Sequence, residues 1–295
     1  MEFTESNTCK GRLWLILAVL PFFFSCRTVK TFQQSNISLS KEERIAALND
    51  QLHETSGLEF YRDSLMSFND SGGEAMLYIF SPEDPSKLNT IRLEKAENAD
   101  WEDVTRGSGY YFIGDFGNNS GNRDTMVIYR LSEKEMNISP VVPELISFSF
   151  KEKLPEFKNK TRNPFDCEAM AFINDSLWLF TKNWRDKSSW VYKLPITPGH
   201  YDLEVNNILH PGMLVTAADY ISEEKLLILI GYQFFSPRIR IYRYTDRRFE
   251  EILLLRTGNL FGVQTEGIVV KDNMLYFSNE KSLRRQGLYR IFFEY

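Results

Sequence analysis

The feature that most constrains this chain is an internal repeat. Five short segments align: Glu54-Thr-Ser-Gly-Leu58, Asp100-Trp-Glu-Asp-Val104, Asp166-Cys-Glu-Ala-Met170, Thr216-Ala-Ala-Asp-Tyr220 and Gln264-Thr-Glu-Gly-Ile268. Their third positions (56, 102, 168, 218 and 266) are separated by 46, 66, 50 and 48 residues. Each segment is followed by an apolar run with a polar end, for example Leu177-Trp-Leu-Phe-Thr-Lys182 or Leu275-Tyr-Phe-Ser-Asn-Glu280. A tyrosine-bearing run comes next (Tyr78, Tyr129, Tyr192, Tyr242 and Tyr289), and then a fourth apolar or alternating run in all but the last repeat. Four strand-like segments in a unit of about 50 residues, bounded by Gly, Asn, Asp and Pro turns, are the pattern of propeller blades. The expected fold is an all-β propeller of about five four-stranded blades, six being the alternative because the 66-residue interval could hide a degenerate blade. Lys151 to Asn163, with little alternation, reads better as a loop on one face.

The last repeat stops after its third strand at Tyr295. A segment within residues 43–53 is therefore expected to pair beside it and close the ring, since closure removes the sheet edges that invite aggregation. A helix over Lys41 to Leu52, capped by Ser40, competes with this reading.

Ahead of the repeats, Lys10 and Arg12 precede an apolar run from Leu13 to Phe24, then Ser25-Cys26. This order predicts a secretory signal over residues 1–25, the run being short of the ~20 residues of a membrane span. Cys26 is the expected lipidation site, residues 26–42 a lipidated tether and residues 43–295 the propeller. The protein is thus expected in the cell envelope, periplasmic or on the outer membrane, a monomer held to the membrane by its lipid. Cys167 would be the one remaining thiol besides Cys26, so no internal disulfide is expected. A net charge of -5 argues against nucleic acid.

In a propeller the innermost strands line a central channel. The third positions would place Ser56, Glu102, Glu168, Ala218 and Glu266 around it. The ends of the second strands would add Asp70, Asp115, Lys182, Tyr232 and Glu280, and Asn118 and Asn119 stand in the Gly- and Asn-rich loop Gly114 to Arg123. Carboxylates crowded in low dielectric either hold protons or share a cation, and calcium suits an all-oxygen site. Alternatively, carboxylates at strand starts accept hydrogen bonds from backbone N–H groups and tie blades together. His53, His200 and His210 are too scattered for a zinc site or a triad. No P-loop and no Gly-x-Ser-x-Gly elbow occurs.

Together, Asp100-Trp-Glu-Asp103, Gly114-Asp-Phe-Gly-Asn-Asn119, Asp166-Cys-Glu-Ala-Met170, Phe180-Thr-Lys182, Thr216-Ala-Ala-Asp-Tyr220 and Thr265-Glu-Gly-Ile268 resemble lipoproteins of Bacteroidetes that are similar to the SdiA-regulated and esterase-like phytase propellers. More distantly the pattern is similar to calcium-dependent gluconolactonase-type propellers. That resemblance implies calcium ligands at Glu102, Glu168, Asp219 and Glu266, without the catalytic histidines of paraoxonase-like relatives. Two functions follow as expectations. One is a module that binds a small molecule, a carbohydrate or a protein at its acidic mouth. The other is a metal-dependent esterase, lactonase or phosphoesterase.

Overall fold

The computed structural model describes residues 37–152, 155–257 and 260–294. They form five sheets, antiparallel save for one strand added to the second, and the innermost strands Thr55–Tyr61, Trp101–Gly107, Cys167–Ile173, Leu214–Ile221 and Thr265–Lys271 neighbour one another in a closed ring. The fold is a five-bladed propeller. In the 66-residue interval the described residues hold the four strands of blade 2 and no sixth blade; what lengthens it after Phe150 is a loop with one 3-10 turn at Pro155–Phe157. That loop packs on the Gly114 to Arg123 loop, where Asn159 N–H donates to the Gly121 carbonyl at 2.9 Å.

In blade 5, Glu43–Ala47 takes the place of the fourth strand by pairing antiparallel with Gly287–Glu294. Strand rather than helix forms here because the free edge of blade 5 offers unpaired backbone groups, whose pairing outweighs local helical spacing. Pairing reaches back to Ser38–Leu39, which meets the far end of the same strand. Leu48 and Leu52, the apolar face of the competing helix, are buried beside Leu288 and Leu65 instead. The expected signal segment and Cys26 lie outside the described residues.

Blade 2 carries an additional strand. Gly199–Leu203, from the connection between the third and fourth strands of blade 3, pairs parallel with Glu144–Phe150 and covers the outer edge of blade 2.

The core sits between blades. Each of five apolar clusters draws on two adjacent sheets; Trp101 of blade 2, for instance, packs edge-on to Phe68 of blade 1 at 5.3 Å and against Tyr129. Four of the repeat tyrosines (Tyr129, Tyr192, Tyr242 and Tyr289) are buried in these clusters, so their periodicity is a packing signal.

Candidate functional site: an acidic channel mouth

Register explains how the acids reach the channel. Thr55 pairs with Asn69, Trp101 with Asp115, Cys167 with Thr181, Val215 with Gly231 and Thr265 with Asn279. In blades 2 to 5 the next residue of the inner strand is bulged out of the ladder, and in blade 1 the bulge comes one step later, after Ser56. A bulged residue has no cross-strand partner and its side chain is re-aimed. The equivalent positions are therefore Ser56, Glu102, Glu168, Thr216 and Glu266. Ala218 stands two residues beyond this ring, so the true repeat of blade 4 is offset from its sequence alignment. Likewise Asp70, Phe116, Lys182, Tyr232 and Glu280 are equivalent, and Asp115 falls one residue short.

Two ring positions serve as staples. Ser56 Oγ donates to the Glu102 carbonyl at 2.6 Å, and Thr216 Oγ1 to the Thr265 carbonyl at 2.7 Å, each crossing to the next blade. The other three are glutamates that are almost wholly buried. Glu102 and Glu168 feel one another's charge, as do Glu168 and Glu266, and Lys182 acts on all three. The Lys182 ammonium lies 2.9 Å from Glu168 Oε2 and 5.9 Å from the Tyr232 ring centre. Burial pulls this lysine toward neutrality, but Glu168, Tyr232, Glu266 and Asp166 outweigh burial and hold its pKa well above the ordinary lysine value. Asp166 Oδ2 and Glu168 Oε1 are buried without a well-aligned hydrogen bond.

Beside Glu102 stand Asp70 and Asp100, so placed that one carboxylate oxygen from each of the three lies within 4.8 Å of the others. Burial, then the Asp100 charge, pushes the Asp70 carboxyl up to about 8. Gly117 makes this proximity possible: a Cβ there would stand 2.2 Å from Glu102 Oε1 and 2.4 Å from Asp100 Oδ2. Sequence reasoning puts Asp100 at a strand start without selecting it as a ligand, and nothing in the sequence signals that Gly117 seals this corner.

The remaining candidates have other employment. Both oxygens of Asp219 are taken by backbone, Oδ1 by Tyr220 N–H at 2.7 Å and Oδ2 by Val270 N–H of blade 5 at 2.6 Å. Asp219 neighbours Glu59, which burial and the Asp219 charge push up to about 8, apart from the three channel glutamates. Asp115 pairs with Arg123 at 2.8 Å. Arg123 also donates to the Gly117 and Asp115 carbonyls, and Asn118 Oδ1 accepts the Arg123 N–H at 3.0 Å, so this loop is braced from within. Asn118 N–H additionally donates to Asp166 Oδ1 at 3.0 Å, whereas Asn119 is exposed. The structure thus brings Glu102, Glu168 and Glu266 together with Asp70, Lys182, Tyr232 and Glu280, and leaves Asp219, Asp115, Asn118 and Asn119 outside that group.

A pH dependence follows. Burial raises Glu266 to about 7 against the pull of Lys182, raises Asp219 to about 6, and raises Asp70 and Glu59 to about 8. The folded protein therefore binds protons more tightly than the unfolded chain, whose carboxyls titrate near ~4. Stability conferred by the protonated groups is full at low pH and is lost as pH rises through the folded values, between about 4 and 8. Urea midpoints measured in chelator should fall from pH 5 to pH 8; a flat or rising series would contradict these shifts.

No family model matches the chain, and no curated protein does. Among solved structures, it is similar to the PQQ-bound aldose sugar dehydrogenase of Streptomyces coelicolor, with a TM-score of 0.50, 8% identity, and coverage of 88% of this chain and 99% of that one. It is also similar to a glucose-dehydrogenase-type oxidoreductase of Thermus thermophilus, with a TM-score of 0.48, 10% identity and coverage of 86% and 100%. A 6-phosphogluconolactonase-type protein of Bacteroides fragilis gives a TM-score of 0.43 at 15% identity, over 79% of this chain and 65% of that one. At these identities the likeness is one of propeller fold alone.

Proposed function

We propose that this protein is a lipid-anchored propeller of the cell envelope, similar to the SdiA-regulated and phytase-like propellers, whose acidic mouth binds a divalent cation and presents it to a small molecule or partner. The observation that carries the reading is the trio Asp70, Asp100 and Glu102. Calcium binds oxygen ligands at about 2.3–2.6 Å, so three oxygens mutually within 4.8 Å can all touch one ion. The donor set fits: Glu102 is buried, no hydrogen bond to its carboxylate is found among the described residues, and Asp70 Oδ1 is buried with no partner but the neighbouring Asp100. Three hard oxygen donors with excess negative charge suit calcium better than zinc or copper. Anchoring through Cys26 belongs to the same proposal.

Relative to the ligand set that the gluconolactonase resemblance implies, this centre keeps Glu102 and replaces Glu168, Asp219 and Glu266 by Asp70 and Asp100. Calorimetric titration of the full-length chain with calcium should give a saturable heat, weakened about tenfold or more by Asp70→Asn, since tenfold corresponds to about 1.4 kcal/mol of ligand interaction. Asp219→Asn should leave the affinity nearly unchanged. No heat in the wild type, or an equal loss in both variants, would remove the proposed centre. The hydrolase alternative shares this centre and differs in one respect: the calcium-loaded protein would turn over an ester, lactone or phosphoester.

A further inference from the structure

On the same face, the second and third strands of blade 4 are joined by a two-residue turn, Phe234-Phe235, between the paired residues Gln233 and Ser236. Both phenylalanines have positive φ, 51° and 58°. Left-handed backbone is unfavourable for bulky side chains, and hairpin turns of this kind favour Asn, Asp and Gly. The other two-residue turns among the described residues are polar, Arg62-Asp63, Ser108-Gly109, Asn174-Asp175, Asp246-Arg247 and Asp272-Asn273; arginine also takes positive φ there, at 59° in Arg62 and 62° in Arg247, but none of these turns carries an apolar side chain. Strain kept where a better residue is available is a mark of function. The two rings are also exposed, 76% and 60%, in company with Phe261 at 59% and Leu283 at 72%. Phe235 and Phe261 stand 6.4 Å apart, and the Gly262 N–H donates to the Phe235 carbonyl at 2.7 Å, fixing the turn against the neighbouring loop.

Between this apolar shelf and the channel runs a crevice of about 40 Å³, walled by Tyr232, Phe235, Gln264 and Leu283. Two of its walls, Tyr232 and Gln264, adjoin the acidic mouth, where Tyr232 feels the charges of Glu266 and Glu280. The Gln264 side chain is close enough to Glu266 to draw its pKa down, and the Glu280 N–H donates to the Gln264 carbonyl at 3.2 Å. A water-sized group needs about 10–15 Å³ of such space, so the crevice admits some three groups in file, a short unbranched chain and not a ring. The carboxyls of Glu266 and Glu280 just beyond Tyr232 and Gln264, with aromatic faces along the side, favour a cation carried on methylenes; the Phe234 ring already has the Lys187 ammonium 5.6 Å from its centre.

We propose that this crevice binds an unbranched alkylammonium, its methylenes between Tyr232, Phe235 and Leu283 and its charge at Glu266 and Glu280. The chemistry is that of a lysine side chain on a partner protein or of a free polyamine. The inference rests on the acidic mouth described above and does not require the metal, which belongs to the blade 1 and blade 2 side.

The test titrates the full-length chain with butylammonium, with butanol as its uncharged counterpart, and with a blocked Gly-Lys-Gly peptide, each beside a calcium titration. Butylammonium should bind at least about tenfold more tightly than butanol, and Leu283→Trp or Glu280→Gln should each cost about tenfold while shifting calcium affinity far less. Asp70→Asn should do the reverse. The double variant Phe234→Asn/Phe235→Gly relieves the turn and removes the shelf, so it should melt no lower than the wild type and should have lost the amine. A peptide that binds more tightly than butylammonium identifies a partner's lysine as the source, and the opposite order a free amine. Equal affinity for butanol and butylammonium, or undiminished amine binding by folded Leu283→Trp, overturns the inference. Failure of calcium binding alone would remove the metal and leave the amine site standing.

Discussion

Replacing Asp103 by alanine is expected to lower the unfolding free energy by about 4 kcal/mol, a large share of the roughly 5–15 kcal/mol typical of a domain. Asp103 is fully buried, and its carboxylate accepts three backbone N–H groups: Val104 at 2.9 Å on Oδ1, and Met170 of blade 3 at 2.8 Å and Ala218 of blade 4 at 3.2 Å on Oδ2. Alanine would leave these donors buried with no acceptor, and each orphan costs about 1–3 kcal/mol. Part of that is returned because the variant no longer buries a carboxyl whose pKa burial holds well above the ordinary range. Asp103→Asn keeps one oxygen but turns an NH₂ toward backbone donors, so its loss should be intermediate. Denaturant unfolding with an unchanged m-value would check both; a loss for alanine below about 1 kcal/mol would show that the three bonds do not hold the blades.

The position of Asp103 also shows what kind of information the sequence carries. Blade number, the closing strand and the ring of glutamates are legible because they depend on periodicity, and a repeat every ~50 residues survives small alignment errors. The register of blade 4 does not survive them. Alignment of Thr216-Ala-Ala-Asp219 matches its aspartate to Asp103, whereas the bulge falls on Thr216, which makes Asp219 the counterpart of Thr105. The bonds made by the two side chains agree with the bulge: Thr105 Oγ1 accepts from Phe172 N–H at 3.1 Å and Asp219 Oδ2 from Val270 N–H, the same link from one blade to the next. A bulge inserts one residue into one strand of a pair, and neither composition nor spacing marks where. The same one-residue uncertainty exchanges Asp115 for Phe116 at the end of the second strand of blade 2. An acidic residue at a strand start is thus a sound guide to the channel and a poor guide to which carboxylates face the channel and which tie backbone across it.

Lys182 offers the second large effect, because it decides whether the mouth is stable when no cation is bound. Its ammonium meets Glu168 at 2.9 Å with both side chains buried. Lys182→Met should cost about 3–5 kcal/mol near pH 8, the cost of leaving one charge of a buried pair without its partner. Glu168 then has two routes to relief. It can take up a proton, since burial already pushes its carboxyl upward and the lysine that opposed this is gone; the variant should therefore recover much of its stability as pH falls toward 5. It can also be removed, and the double variant Lys182→Met/Glu168→Gln should be considerably more stable at pH 8 than Lys182→Met alone, giving a double-mutant coupling well beyond the ~0.5 kcal/mol expected of independent sites. Asp70, Asp100, Glu102, Asp166, Glu266 and Glu280 remain around the vacated position, so a cation has more to gain there. Calcium should protect Lys182→Met against thermal unfolding more than it protects the wild type. A single variant as unstable at pH 5 as at pH 8, with no gain from the second substitution, would mean that Lys182 contributes packing rather than charge, and that the acids of the mouth tolerate one another without it.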